Sequence, residues 1–474
     1  MAPPPERGSD AEADRVESSV ATALAPSTEL LARLEHARTR LVEAVTEAAK
    51  RRGSPLVRAL VAGSAARSTF LADRLDIDLF LLFPADLSDD RLREEGLALG
   101  REVLRQPTMR YAEHPYLRGT FEGFTVDAVP GFAVADPSRP RSPVDRTPFH
   151  QSYLATRETP ALVSEIRLAK QFLRTLGVYG SEARTEGFSG YLLELLVLQF
   201  GSFRSFLRAA QSWTIPVRLV PPEREPPGLP EHVALVLTDP VDPHRNVASA
   251  LSRQNLGTLI VSARAYLEQP ELAWFEPQAL HGPTKEEAMH RIRGRASHVT
   301  IVRLARPDLV DDTLYPQLRK AERAVAEELG RAGFHLLGSA SAADPQGLVV
   351  AVEVAYRSRP GVRMRPGPPA GLERASDFLA TWPPDLPEVV QGPYVRPDGH
   401  LAVETRATER DAETFVRSVL PRLSLGRNLS ASTGATVTSL DDAEGTPALS
   451  EALRLLLEKR LPWPGSVRGP ATGR

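Results

Sequence analysis

The residues best equipped for chemistry are few. Gly63-Ser64 is followed, after eleven residues, by Asp76-Ile77-Asp78, and a third acid, Asp127, stands in the run TVDAV. Side chains two apart on a strand point the same way, so Asp76 and Asp78 project together from one face. Carboxylates that close repel unless a cation lies between them, and hard oxygen ligands at that spacing suit magnesium. Gly63 and Ser64 end a strand before a turn or helix start, where free backbone N–H groups and a hydroxyl suit an anion such as phosphate. Asp127 is the only acid between Gly123 and Gly131, and alternation turns it away from the face that carries Val126 and Ala128. Three carboxylates beside a phosphate cradle are the parts of a two-metal phosphoryl-transfer site. An edge-strand charge pair is the alternative for Asp76 and Asp78, but apolar Ile77 and LFLLF flank them.

Those residues need strands with helices to hold them. The run 56–63 (LVRALVAG) and the segment Asp76 to Phe83 read as strands, and Phe124–Val129 as another, closed by Pro130. Ser27 opens a helix that ends before Gly53, and a second helix covers Asp90–Leu104. Strands alternating with helices predict an α/β domain. From Thr159 the pattern becomes helical: Leu162–Leu176, then Ser189–Ala210, whose apolar run YLLELLVLQF predicts deep burial. Residues 214–230 carry six prolines and read as an extended loop. Val233–Leu237 reads as a strand and Ala248–Leu267 as a helix. Beyond a joint near 270–284, Val299–Leu304, Leu348–Tyr356 and Leu401–Arg406 read as strands, Tyr315–Gly333 and Ala448–Leu461 as helices.

Composition narrows the function. The 474 residues include no cysteine, which excludes disulfides, thiolate nucleophiles and cysteine-bound zinc. No run of eighteen apolar residues occurs, and the N-terminus lacks the basic start and apolar stretch of a secretory signal, so a cytoplasmic location is expected. The formal net charge of −2 neither argues for nucleic acid nor forbids a local basic face. Of 58 basic residues only five are lysine, so arginine is the default cation.

The stretch GSAARSTFLADRLDIDLFLLFP resembles the catalytic signature of the polymerase-beta-type nucleotidyltransferase superfamily. With it, in order along the chain, run YAEHPYLRGTFEGFTVDAVPGF, SPVDRTPFHQSYL, RLAKQFLRTLGVYGSE, GFSGYLLELL, DPVDPHRNVASALS, PDLVDDTLYPQLRKAER and GPYVRPDGHLAVE. Together they resemble the archaeal-type CCA-adding enzymes, which extend the 3′ end of tRNA. The resemblance implies an α/β and α+β multidomain chain. Residues 1–27, polar, acidic and proline-bearing without hydrophobic period, read as a disordered extension; the parts that the resemblance implies would be a nucleotidyltransferase head with a mixed sheet (28–150) and a helical neck that binds nucleotide and RNA (151–280). A body (281–314 and 392–474, with a disordered end) and a tRNA-binding tail (315–391) would follow. It implies template-independent addition of CCA from CTP and ATP with two magnesium ions, and a homodimer. Asp76 and Asp78 would bind metal, with Asp127 as the third catalytic carboxylate. Gly63, Ser64 and Arg67 would face the triphosphate, Thr147 and His150 would line the nucleotide site, Lys170 and Tyr179 would contact the triphosphate, and Arg245 and Asn246 would lie near the base and the RNA end. Ser68 departs from the glycine many relatives carry there.

Read without the resemblance, these extra residues leave alternatives open. Lys170 could be a solvated helix charge, and His150 a capping or core histidine. Glu194, inside an apolar helix, reads as a buried acid satisfied by a neighbouring base. Arg291, Arg293 and Arg295, and then Arg357, Arg359, Arg363 and Arg365 within nine acid-free residues, could neutralise RNA phosphate or simply cover a solvated face. The resemblance places the second group where the tRNA elbow is gripped. Two rival functions follow from the same motifs: another template-independent transferase, such as a poly(A) or oligoadenylate synthetase, or a non-catalytic RNA-binding relative.

Overall fold

The computed structural model describes residues 7–111, 115–277, 282–430 and 434–464. They form two compact units, one of the described residues up to 277 together with 461–464, and one of those between 282 and 460. Among the described residues no helix is long and apolar enough to cross a membrane.

In the first unit, helix α1 (Arg7–Leu24) precedes α2 (Thr28–Arg52), which Ser27 caps and Gly53 ends in the left-handed conformation. Strand β1 (Arg58–Ala62) runs into a one-turn helix, α3 (Gly63–Arg67). Then follow β2 (Asp76–Pro84), α4 (Asp89–Val103), β3 (Arg105–Tyr111), β4 (Pro115–Phe121) and β5 (Phe124–Ala133). The five strands make one sheet in the order β1-β2-β5-β4-β3. β2 and β5 are parallel and the other pairs antiparallel, so the sheet is mixed, as expected. Ile77, Leu79, Leu81 and Phe83 face a core shared with Leu34, Leu41, Val45, Val126 and Ala128. The opposite face carries Asp76, Asp78 and Asp127 at one end and Phe80 and Leu82 beyond them. β5 continues through Pro130 rather than stopping there. Its antiparallel partner β4 pairs only as far as Ala128, so on that side Pro130 needs no ladder donor.

Helices α5 (Thr147–Ala155), α6 (Pro160–Thr175), α7 (Gly190–Phe200), α8 (Phe203–Ala210) and α9 (Arg253–Glu268) build the helical layer of this unit. The long helix expected over 189–210 is two helices, because Gly201 takes φ +84° and Ser202 caps the second. The strand expected over 233–237 shrinks to a two-residue pairing of β6 (Val217–Arg218) with β7 (Leu235–Val236). Phe172, Phe203, Tyr266, Trp274 and Phe275 pack ring against ring at its centre.

The N-terminal extension corrects the sequence reading. Residues 7–24 are helical, not disordered: Val16 and Val20 join the core of the helical layer. Glu17 accepts from Arg204 and from the Tyr266 hydroxyl, at 2.8 and 3.0 Å. The apolar stripe is Ala13, Val16 and Val20 among acids, too thin to show as hydrophobic period yet sufficient once a surface is there to receive it. The C-terminal end is also reassigned. Trp463 donates to Ser262 at 3.1 Å, so residues 461–464 belong with the first unit; 465–474, expected to be disordered, lie outside the described residues.

In the second unit, α10 (Lys285–Gly294), β8 (His298–Leu304), α11 (Asp311–Arg331), β9 (Leu336–Ala343) and β10 (Leu348–Val354) come first. Strand β11 (Val362–Pro369), helix α12 (Arg374–Thr381), strands β12 (Val389–Val395) and β13 (His400–Arg406), helix α13 (Ala412–Val419), strand β14 (Thr436–Ser439) and helix α14 (Pro447–Leu457) follow. The sheets are β14-β8-β10-β9 and β11-β13-β12. The expected boundary at 314/315 therefore fails, since β8 and β10 are hydrogen-bonded neighbours across it. The boundary at 391/392 likewise falls within β12.

Candidate active site

Asp78 and Asp127 are direct partners in the parallel pairing of β2 with β5, and Asp76 stands one pleat away on the same face. Behind them β1 ends at Ala62, and Gly63 takes φ +71° to start α3. A Cβ built there would meet Asp78 Oδ2 at 2.1 Å, so only glycine lets the backbone approach the carboxylate. Ser68, the residue singled out for departing from glycine, does sit at φ +59°, a left-handed position that costs an L-residue about 1–2 kcal/mol.

Gly63, Ser64, Arg67, Asp78, Thr147, His150, Lys170 and Tyr179 line one cleft of about 310 Å³. Eight residues predicted from scattered motifs thus converge, together with Gln151, Gly190, Tyr191 and Glu194, which the sequence reading did not assign to the site. The Tyr179 hydroxyl lies 3.2 Å from where a Cβ on Gly190 would be. Gly190 opens α7, so the cleft receives the free N–H groups of that helix start.

The charges in the cleft are already matched. Lys170 is buried, and its ammonium donates to Glu194 at 2.8 Å, Thr69 O at 3.0 Å and Thr69 Oγ1 at 3.1 Å. Arg67 donates to Glu194 at 2.5 Å and to Gln151, and its Nε lies 3.2 Å from Glu158. Burial pushes the Glu194 carboxyl up, but Lys170 and Arg67 outweigh it and hold the group at about 2. Glu158 goes the other way: burial and the neighbouring Glu194 charge raise it to about 7. The Glu194 expectation of a buried acid with a basic neighbour is met. Arg67 and Lys170, expected to face a triphosphate, are engaged by protein partners instead.

His150 and Arg245 meet on one carboxylate. Asp239, buried, accepts from His150 Nε2 and Arg245 Nη1 at 2.8 Å each, and from the Tyr191 hydroxyl at 3.1 Å. The His150 ring also stacks on Tyr191 at 4.0 Å. Burial pushes Asp239 up, but the His150 contact and the other bonds bring it down to about 2, so it is the acceptor in every contact. Asn246 does not join the cleft. Its amide bonds Leu237 N, Ala248 N and Leu235 O, a buried clamp on local backbone, and we correct its expected place near the base.

Arg118, not foreseen from sequence, stands on β4 opposite Asp127. It donates from Nε and Nη2 to the two oxygens of Asp127, at 2.7 and 2.8 Å, and from Nη2 to Asp76 at 3.0 Å. As they stand, no three acidic or imidazole groups among the described residues gather closely enough to hold a metal ion. The donor set nonetheless fits a divalent cation. One guanidinium serves two of the three carboxylates, and burial with the charges of Asp127 and Asp76 raises Asp78 to about 7, the crowding a divalent ion relieves.

The comparisons agree with this geometry. The nucleotidyltransferase domain family matches residues 42–150, the second domain of tRNA nucleotidyltransferases 164–276, and the C-terminal domain of CCA-adding enzymes 295–439. A CCA-adding enzyme of Haloarcula marismortui is 41% identical over 363 residues, covering 73% of this chain and 76% of its own. That of Halorubrum lacusprofundi is 39% identical over 414 residues, covering 84% and 88%. This chain belongs to the CCA-adding enzyme family. CCA-adding enzymes are nucleotidyltransferases that extend tRNA without a nucleic-acid template, using nucleoside triphosphates and divalent metal. A solved structure of the Cid1 poly(U) polymerase aligns with TM-score 0.42 and 14% identity, covering 56% of this chain and 98% of that one.

The arginines expected to hold RNA lie in the second unit of this CCA-adding enzyme, in unequal states. Arg291, Arg293 and Arg295 pair with Glu458, Asp441 and Glu353, at 3.1, 3.4 and 2.7 Å. Arg357 pairs with Asp411 at 2.7 Å. Arg365 lies over the Trp382 ring and bonds Thr405, and Arg363 caps the carbonyl of Arg331. Arg359 is a correction. It is buried, bonded to the carbonyls of Glu409 and Ala332, and flanked by the rings of Phe334 and Phe415, so it serves the fold.

Proposed function

We propose that the cleft above Asp76, Asp78 and Asp127 carries out CCA addition in this chain, with CTP and ATP as donors and the 3′-hydroxyl of tRNA as acceptor. The supporting observation is the register that sets Asp78 beside Asp127 against the Gly63-Ser64 helix start. Two magnesium ions held by the three aspartates would lower the pKa of the attacking hydroxyl and neutralise charge at the reacting phosphate. Ser64 and the free N–H groups at the starts of α3 and α7 bind the phosphates, and the Tyr179 hydroxyl adds a donor from the cleft wall. Thr147 and His150 position the nucleotide, His150 being fixed through Asp239, which also orients Arg245. Arg67 and Lys170 reach phosphate by exchanging one of their present partners for it. Asp127, on the strand nearer β4, orients the attacking hydroxyl. Positioning and charge neutralisation carry most of the rate in phosphoryl transfer. Arg291, Arg293, Arg295, Arg357, Arg363 and Arg365 would contact RNA phosphate; the exposed Arg293–Asp441 pair opens at a cost of about 1 kcal/mol or less. The homodimer and the cytoplasmic location belong to the same reading, the first resting on family resemblance and the second on the sequence pattern; sedimentation of the full chain tests the first.

The test is incubation of tRNA lacking its terminal CCA with magnesium, CTP and ATP. Wild type should add three nucleotides and stop, and Asp78→Ala should lose at least about a hundredfold in rate. Addition that runs on as a homopolymer would move the reading to a poly(A)-type transferase. Equal activity in Asp78→Ala would leave the carboxylates without a role.

A further inference from the structure

The least expected group in the site is a cation. Arg118 stands on β4 directly opposite Asp127, on the face that carries the three aspartates. Its fork takes both oxygens of Asp127 and reaches Asp76 with the same Nη2, all within 3.0 Å. The bond to Asp127, opposed by burial and helped by both acids, raises the guanidinium further above its ordinary range, so it is a permanent charge. Asp76 and Asp127 flank Asp78 and are its two proposed co-ligands. An arginine fork and a divalent ion cannot both take the same carboxylate lone pairs.

We propose that Arg118 is a positioning residue that acts as an internal counter-cation: it holds Asp76 and Asp127 in the metal-free enzyme and is displaced from them when divalent metal binds. The inference rests on the metal-site reading given above. Two consequences follow from the geometry. The three acids stay gathered without metal, with one positive charge held against Asp76 and Asp127, so the site does not spring apart. Metal binding in turn becomes an exchange of one cation for another, which weakens the apparent affinity for metal alone. Once released, the guanidinium remains on the open β4 side of the reacting carboxylates.

The experiment measures Mn2+ binding to the metal-free full chain by electron paramagnetic resonance of free Mn2+, at pH 8, without nucleotide or RNA. Arg118→Met removes the competitor and should bind Mn2+ about tenfold more tightly than wild type, a change of about 1.4 kcal/mol. Arg118→Lys keeps the charge but loses the fork, so it should move at least halfway toward Arg118→Met. Arg118→Lys binding like wild type would mean that charge at a distance, not competition, sets the affinity, and would overturn the inference. So would Arg118→Met binding equally or more weakly, which would make Arg118 a scaffold for the metal site. Should Arg118→Met not fold, the comparison of Arg118→Lys and Arg118→Gln with wild type decides by the same criterion. If wild type binds no more Mn2+ than Asp78→Ala, the metal-site reading itself fails, a result distinct from the others.

Discussion

Replacing Glu194 by alanine should be among the most damaging single changes in the first unit. Its carboxylate is fully buried and serves Lys170 at 2.8 Å, Arg67 at 2.5 Å and Thr69 at 2.7 Å. At an effective dielectric near 20, a unit pair at that Lys170 distance attracts by roughly 6 kcal/mol, against which stands the cost of taking both charges from water. Deleting only the acid leaves that cost and removes the return. Lys170, 2% exposed, would then be an uncompensated buried ammonium, a situation that costs about 3–5 kcal/mol. Urea unfolding followed by tryptophan fluorescence reads this directly, since Trp213, Trp274 and Trp463 all lie in the first unit. The double variant Lys170→Met/Glu194→Leu removes both charges and should recover to within about 2 kcal/mol of wild type. The pH dependence supplies a sign. Glu194 is held at about 2, below its ordinary value of 4.5. Its contribution is therefore complete above pH 4.5 and lost as pH falls toward 2. Glu194→Ala lacks that portion of acid sensitivity. A loss under about 1 kcal/mol, or a double variant no better than Glu194→Ala, would refute the argument.

Gly63→Ala should cost about 1–2 kcal/mol from φ +71° alone and force Asp78 away from the new Cβ; activity should fall further than stability, in nucleotide-incorporation and thermal-melt assays respectively. Asp239→Asn frees His150 and Arg245 from their shared anion, and steady-state kinetics should show KM for CTP and ATP rising more than kcat falls. Glu158, raised to about 7, binds a proton more tightly folded than unfolded, so its effect on stability is most favourable below pH 4.5 and declines as pH rises to 7. Glu158→Gln should remove that decline, and melts of the two proteins across pH 4.5–8 should converge only at the acid end.

The catalytic sheet was legible because its logic is local. Alternation placed Asp76, Asp78 and Asp127 on faces that the structure reproduces, with Ile77, Leu79, Val126 and Ala128 on the other side. Arg118 was missed although a signal existed. Glu122 and Gly123 both take positive φ, +47° and +84°, as a two-residue hairpin turn requires. The Glu122-Gly123 turn between Phe121 and Phe124 fixes the register, and counting outward pairs Arg118 with Asp127. Asp239 left no such trace, because its partners His150 and Tyr191 come from elements far apart in the chain, joined only by packing. The body and tail were divided wrongly for the same reason: β14, β8 and β10 pair across long loops, and pairing at that range carries no period. The N-terminal helix shows the converse, a weak local pattern made stable by a tertiary surface.

A chain with 58 basic and 60 acidic residues that handles polyanions poses a charge problem, and the cleft shows how it is met. Arg67 and Lys170 answer Glu158 and Glu194; Arg245 and His150 answer Asp239; Arg146 answers Asp242 at 2.7 Å. Surplus positive charge would draw any phosphate, including the many that are not substrates. A cleft in which Arg67 and Lys170 already hold acids binds only what can make an exchange on better terms. Geometry then does the selecting: a ligand must reach Ser64, the helix starts and Tyr179 together before Arg67 or Lys170 gains by changing partners. The Arg293–Asp441 pair of the second unit follows a looser rule, because it is exposed and opens at little cost, which suits a surface that meets backbone phosphate regardless of sequence.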